Sequence, residues 1–383
     1  MFKDKFQLKE GVKYINCAYM APLLKSSEEL GIEGLKRKRN PFEISQDDFF
    51  SDVEKVKENF AKLVNCKNSN VVLIPSVSYG FASVFKNLKA KNNQHGILVS
   101  GEFPSGYFTA EKWCKENSLE LKIIKAQEEI LNRGKNWNEE LINSISENTS
   151  FVLISSIHWM DGTKFDLEKI GNKCQQVGAK FFVDGTQSVG ALSIDVQKYK
   201  IHALVCAGYK WLLGPYSQGL AFIHDDFKSG NPLEESWMNR LNAQDFSKLA
   251  NYEKQYTADL GRYNVGESSD FIKIPMLNES LRQILDWKVD TIQTYCNELI
   301  SPLIHFLQEN EISVEDENNR ANHLLAFKLP AKINTEKLFQ DLKTEQIYLS
   351  MRGESLRISP NIYNTKSDID SLIEVLIANL KNS

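Results

Sequence analysis

Between about Phe50 and Ile223 the chain alternates short, almost unbroken apolar runs with longer amphipathic stretches. The apolar runs are Val71–Ile74, Ile97–Val99, Leu121–Ile124, Phe151–Ser155, Lys180–Val183, Ala203–Cys206 and Gly219–Ile223. Their length and lack of polar alternation predict strands buried on both faces. The stretches between them, Tyr79–Leu88, Tyr107–Asn117, Asn138–Ile145 and Leu167–Val177, carry helical periodicity. Strand–helix alternation of this kind predicts an α/β fold with a mostly parallel, doubly wound sheet covered on both sides.

The pattern changes after about Tyr252. A long amphipathic helix is predicted over Pro275–Asn310, followed by strand His323–Leu329, helix Thr335–Leu342, strands Ile347–Ser350 and Leu356–Ser359, and helix Lys366–Leu380. A smaller α+β domain over residues 256–383 is therefore expected beside a large domain over residues 20–255. Tyr14–Leu24 is placed to cross over, which joins residues 1–19 to the small domain.

Composition narrows the function. A chain of 383 residues, 42% hydrophobic, fills one large core and a smaller one, since single cores stop growing near ~250–300 residues. Its 46 basic and 50 acidic side chains give a net charge of −4, which argues against nucleic-acid binding. The densest basic run, Lys36-Arg37-Lys38-Arg39, reads as a solvated helix face. No window approaches ~18 consecutive apolar residues, so no membrane span is expected. Met1–Lys13 contains no hydrophobic signal region. The six cysteines are scattered without CxxC spacing and the six histidines do not cluster. They read as reduced thiols of a cytoplasmic protein, with no metal site.

Two segments carry unusual chemistry at strand ends, where α/β sheets bind ligands. Asp184 closes the run Lys180–Val183 and opens Asp184-Gly185-Thr186-Gln187-Ser188-Val189-Gly190. A buried carboxylate there needs a partner; a protonated pyridine nitrogen is one, and the N-cap of a following helix is the alternative. Lys210 lies in Ala207-Gly208-Tyr209-Lys210-Trp211-Leu212-Leu213-Gly214-Pro215-Tyr216. Aromatic and apolar neighbours would lower its pKa and make it an imine-forming amine. A snorkelling lysine with its head in water is the other reading.

Together the Asp-x-x-Gln-x-x-Gly and aromatic-Lys-x-x-x-Gly-Pro stretches resemble the signature of the class V aminotransferases. These are fold-type I enzymes of pyridoxal 5′-phosphate (PLP), and the group includes cysteine desulfurases, kynureninases and isopenicillin-epimerase-like proteins. The resemblance implies Lys210 as the Schiff-base lysine, Asp184 at the pyridine nitrogen and Gln187 at the phenolic oxygen. Ser78 and Tyr79, opening a helix after Val71–Ile74, resemble the phosphate-binding pair. Phe103 of Gly101-Glu102-Phe103-Pro104 stands where the family stacks a ring on PLP.

The chain also departs from the pattern. Trp159 of His158-Trp159-Met160-Asp161-Gly162 occupies a place where relatives carry Asn, and its indole N–H is expected to make the same hydrogen bond. Ala207 and Tyr209 replace the Ser and His of desulfurases, and Tyr209 resembles the kynureninase tyrosine that reaches phosphate. Ser268, in Arg262-Tyr263-Asn264-Val265-Gly266-Glu267-Ser268-Ser269, resembles the loop that crosses a homodimer to the partner's phosphate. Arg357 resembles the arginine that clamps the substrate carboxylate, with Arg352 assisting it or on the surface, and with Asn16 and Ala18 lining the same pocket.

The implied chemistry begins when an amino acid displaces Lys210, whose freed amine becomes the general base on the α-proton. No cysteine follows Cys296, and Gln346–Arg357 is too short for the thiol-bearing loop of a desulfurase. Transamination is thus the leading expectation. Cysteine- or selenocysteine-lyase-like and kynureninase-like cleavage are the alternatives, with a non-catalytic PLP-fold protein behind them.

Overall fold

The computed structural model describes residues 2–381. A two-residue strand, β1 (Lys13–Tyr14), precedes helices α1 (Lys25–Arg37) and α2 (Ser51–Val64). Then follow β2 (Val71–Ile74), α3 (Val77–Phe85), β3 (His95–Val99), α4 (Pro104–Glu116), β4 (Glu120–Ile124), α5 (Arg133–Ser144) and β5 (Thr149–Ser155). The series continues with α6 (Leu167–Val177), β6 (Lys180–Asp184), β7 (Ala203–Ala207) and β8 (Gly219–Ile223). Strands β2 to β8 form one seven-stranded sheet in the order β2-β8-β7-β6-β5-β3-β4. The pairs from β4 across to β7 are parallel, and β8 runs antiparallel to both β7 and β2.

The unbroken apolar runs have a direct cause. Val71 and Leu73 of β2 enter one core cluster, with α2 and α6 residues such as Phe60 and Ile170. Val72 and Ile74 enter the other, with Phe81 and Phe85 of α3 and Trp113 of α4. Successive side chains point to opposite faces, and both faces are dry. Every position of the strand must therefore be apolar.

Beyond the sheet come α7 (Lys273–Trp287), α8 (Val289–Glu309), β9 (Leu325–Lys328), α9 (Thr335–Thr344), β10 (Ile347–Tyr348), β11 (Ser350–Arg352), β12 (Ser355–Ile358) and α10 (Lys366–Lys381). Strands β11, β12 and β9 form an antiparallel sheet. β1 pairs in parallel with β10, so the N-terminal segment does cross to this layer.

One expectation needs correction. The predicted helix over Pro275–Asn310 is two helices, because Lys288 takes φ +66° and its N–H caps the Ile284 carbonyl at 3.0 Å. Apolar spacing continues across this break, so the sequence pattern does not reveal it. Around α7 and α8 the packing passes from one core to the other. Ile274, Leu277 and Leu281 of α7 belong to the core of the large sheet, whereas Leu299, Ile300 and Leu303 of α8 pack with β9, β12 and α10.

Candidate active site

The C-terminal ends of β5, β6 and β7, with the loops after β2 and β3, enclose a cavity of about 350 Å³. Asp184 is the last residue of β6, 4% exposed, and lines this cavity. Its Oδ1 accepts the Thr186 N–H at 2.9 Å. The Thr186 hydroxyl accepts the Ala207 N–H at 3.1 Å and so ties the ends of β6 and β7 together. Burial raises the Asp184 pKa, against the Thr186 hydrogen bonds and the nearby Lys210 charge. Neutral donors alone hold this carboxylate on the protein side, and a cation in the cavity would keep it ionised.

Lys210 follows β7 in a tight loop closed by Leu213 N–H to the Lys210 carbonyl (3.0 Å) and Gly214 N–H to the Gly208 carbonyl (2.8 Å). The side chain is 7% exposed. Its Nζ lies 5.6 Å from the ring centres of both Phe103 and Tyr209. Burial, helped by the positive Arg357 and Arg352, outweighs Asp184 and brings its pKa down to about 8.

The glycine that ends the Asp184 motif has a backbone reason. Gly190 takes φ +97°, and a Cβ there would sit 2.3 Å from the Trp211 carbonyl oxygen. The loop bearing Asp184 can press against the loop bearing Lys210 only if residue 190 lacks a side chain.

Gln187 lines the cavity. Its Nε2 donates to the Ala18 carbonyl (3.1 Å) and its Oε1 accepts the Trp211 indole N–H (2.8 Å). Phe103 lines the cavity and meets Trp159 edge to face, with centroids 5.5 Å apart. Tyr209 also lines it, its ring 4.7 Å from that of Tyr216.

Arg357 of β12 is 1% exposed. Its Nε donates to the Ser350 hydroxyl (3.1 Å) and its Nη1 to the Trp159 carbonyl (2.7 Å). Nη2 is buried without a partner among the described residues. Burial and the neighbouring Arg352 push its pKa down to about 9. A buried guanidinium with a free N–H and no carboxylate is a site prepared for an anion. Asn16 bridges Ser359, directly after β12, and its buried Oδ1 is likewise unpartnered. Ala18 N–H donates to the Ser359 hydroxyl at 2.9 Å.

Three expected contacts differ in the structure. The Trp159 indole N–H donates to the Gly101 carbonyl at 2.7 Å, so it is not free for a ligand oxygen. Ser76, not Ser78, caps α3, accepting the Tyr79 N–H at 3.2 Å. Ser78 does line the cavity, with its hydroxyl 2.9 Å from that of Ser76. Tyr79 lies the next step round the helix, and its phenol turns to Glu234 at 2.6 Å. Ser268 is 4% exposed and lines a different cavity within its own chain, beside Lys57 and Asp259.

The sequence reading also missed residues. Glu102 is buried behind the cavity wall. Its carboxylate accepts the Ser155 hydroxyl, with the Ser155 N–H (2.7 Å) and the Phe103 N–H (2.7 Å). A carboxylate just past an apolar strand was the signal that marked Asp184, and Glu102 carries the same one after β3. Tyr216, Ser217 and Gln218 close the cavity from the turn after Gly214-Pro215. Ser217 there takes φ +61°.

A buried amine and a buried carboxylate facing one cavity, beyond the strand ends of a mostly parallel sheet, define a fold-type I PLP enzyme. The chain belongs to the aminotransferase class-V family, whose profile matches residues 42–372. It is a PLP-dependent enzyme of amino-acid chemistry, a transferase or lyase. It is 22% identical over 327 residues to the uncharacterized aminotransferase YcbU of Bacillus subtilis, covering 85% of this chain and 83% of that protein. A kynureninase of Dictyostelium discoideum is 24% identical across 98% of this chain and 84% of its own. The structure of a cysteine desulfurase from Thermococcus onnurineus NA1 superposes with a TM-score of 0.82 at 17% identity, covering 100% of this chain and 98% of that one.

Proposed function

We propose that the chain transaminates an amino acid, with Lys210, Asp184 and Arg357 as its working groups. The cavity suits the coenzyme: an amine lowered to about 8 and a buried carboxylate lacking a protein ion pair among the described residues both line it. Bound PLP supplies an electron-withdrawing ring that stabilises negative charge at the substrate α-carbon. Asp184 would hold the ring nitrogen and keep it cationic. Lys210 would hold the coenzyme, and its amine would move the α-proton. Gln187 would meet the phenolic oxygen and Phe103 would cover the ring and exclude water, with Trp159 bracing Phe103 edge-on. Ser78, with Ser76 beside it, and Tyr209 offer hydroxyls to the phosphate. Arg357 takes the α-carboxylate, with the Asn16 amide and the Ala18 backbone beside it.

One observation favours transamination over persulfide-forming desulfuration. Each of the six cysteines is unpaired, and burial raises every thiol pKa, that of Cys17 beside the site to about 12. A thiolate nucleophile of the desulfurase type therefore has no candidate here. Kynureninase-like cleavage is the second reading, on the strength of Tyr209 at the cavity. The same proposal includes a cytoplasmic homodimer. Ser268 is buried in its own chain, so the exposed Glu267 beside it is the part of that loop that faces outward.

The test is a screen of amino acids against the holoenzyme, following coenzyme absorbance and products. Stoichiometric 2-oxo acid formed with loss of the visible coenzyme band supports transamination. Alanine released from kynurenine, with the band retained, would instead establish the cleavage reading. In Lys210→Ala borohydride should no longer couple the coenzyme covalently to the chain.

A further inference from the structure

We propose that Arg352 is a second anion site and that the substrate is a dicarboxylic amino acid, its α-carboxylate on Arg357 and its distal carboxylate on Arg352. This rests on the transaminase reading above and adds the substrate class.

The two arginines come from one antiparallel hairpin. Ser350 of β11 pairs with Arg357 of β12, and Arg352 pairs with Ser355. Arg352 and Arg357 are therefore diagonal neighbours on the same face, a relation that sets backbones roughly 7–8 Å apart. Gly353, at φ +58°, makes the tight tip that keeps them there. Both guanidiniums converge on Trp159, a residue of the cavity wall. Arg357 bonds its carbonyl at 2.7 Å, and the Arg352 Cζ lies 5.7 Å from the centre of its ring.

Neither has an anionic partner among the described residues. Arg352 Nη1 donates to the Met351 carbonyl at 2.8 Å, and its buried Nε has no acceptor. The neighbouring carboxylate, Glu354, is taken by Lys328 instead. Two unpaired guanidiniums on one face repel one another, and the Arg352 charge is among the causes that lower the Arg357 pKa. Both positive charges also act on Lys210. A single α-carboxylate neutralises one of them. A second carboxylate on a short methylene chain neutralises the other, and a planar guanidinium on an aromatic face suits that task.

The test compares glutamate with glutamine, and aspartate with asparagine, in titrations of the holoenzyme's coenzyme absorbance. At least one acid should act at a concentration at least tenfold below that of its amide. Arg352→Gln should bring that acid to the level of its amide, and Arg352→Lys should restore part of the difference. In parallel, glutarate should raise the melting temperature of the wild-type holoenzyme more than its monoamide does, and Arg352→Gln should abolish the difference. Equal responses to acid and amide in the wild type would overturn the proposal. So would an Arg352→Gln variant that weakens both alike, since Arg352 would then serve the α-carboxylate. Failure of every amino acid to change the spectrum would sink the transaminase reading, while the glutarate measurement still decides for or against the anion site.

Discussion

Lys210 provides a quantitative test of the site's electrostatics. Burial brings its pKa to about 8 from an ordinary 10.5. At pH 7.5 about a quarter of the side chains would then carry a neutral, nucleophilic amine, against about one in a thousand for an unperturbed lysine. That is a gain of roughly 200-fold in reactive amine from placement alone. The assay is the rate of PLP uptake by the apoenzyme between pH 6 and 10, divided at each pH by the rate for a simple alkylamine extrapolated to its neutral form, which removes the coenzyme's own titration. The ratio should rise tenfold per pH unit below about 8 and then level off. Arg357 and Arg352 lower this pKa and Asp184 raises it. Arg357→Met should therefore move the inflection to higher pH and Asp184→Asn to lower pH. A rate still climbing with unit slope through pH 9.5 would refute the reasoning.

Arg357→Met should lower kcat/KM for amino acids by roughly 30- to 4,000-fold, in line with ~2–5 kcal/mol for truncating a buried charge pair. The melting temperature should hold or rise, because no protein carboxylate offsets this guanidinium's burial; a marked fall would argue for a structural role. Gly190→Ala should cost at least about 2 kcal/mol in urea unfolding, from a φ of +97° and the Trp211 carbonyl 2.3 Å from the new methyl. Ser155→Ala should cost about 1–3 kcal/mol by removing the hydroxyl that Glu102 accepts. Burial already raises the Glu102 pKa above its unfolded value, and the Ser155 bond restrains that rise. The folded state thus binds the extra proton, so stability falls as pH climbs through this raised pKa. The Ser155→Ala deficit should accordingly be larger at pH 8 than at pH 5.

The large sheet was legible because its strands are buried on both faces, and Val71–Ile74 and Gly219–Ile223 match the observed strands residue for residue. The burial of Lys210 and Asp184 at one cavity was legible because both charges sit in apolar context at strand ends. The break at Lys288 was not, since its left-handed backbone has no glycine to mark it. The assignments of Trp159 and Tyr79 went astray for another reason. Sequence places a residue on an element but does not say which partner its polar atom meets, and the Gly101 carbonyl and Glu234 lie 58 and 155 positions away. Ser268 shows the same gap, its burial depending on loops distant in sequence.

The crossing N-terminal segment ties together two grips that would otherwise be independent. Arg357 and Ser359 are two positions apart on one backbone. The Ser359 hydroxyl holds the Ala18 N–H, and the Ala18 carbonyl holds the Gln187 amide inside the cavity. The strand that carries Arg357 is thereby joined, through two hydrogen bonds to one residue, to a side chain of the cavity wall. Because the same segment also buries Phe6, Ile15 and Cys17, trimming it would loosen the core and this junction together.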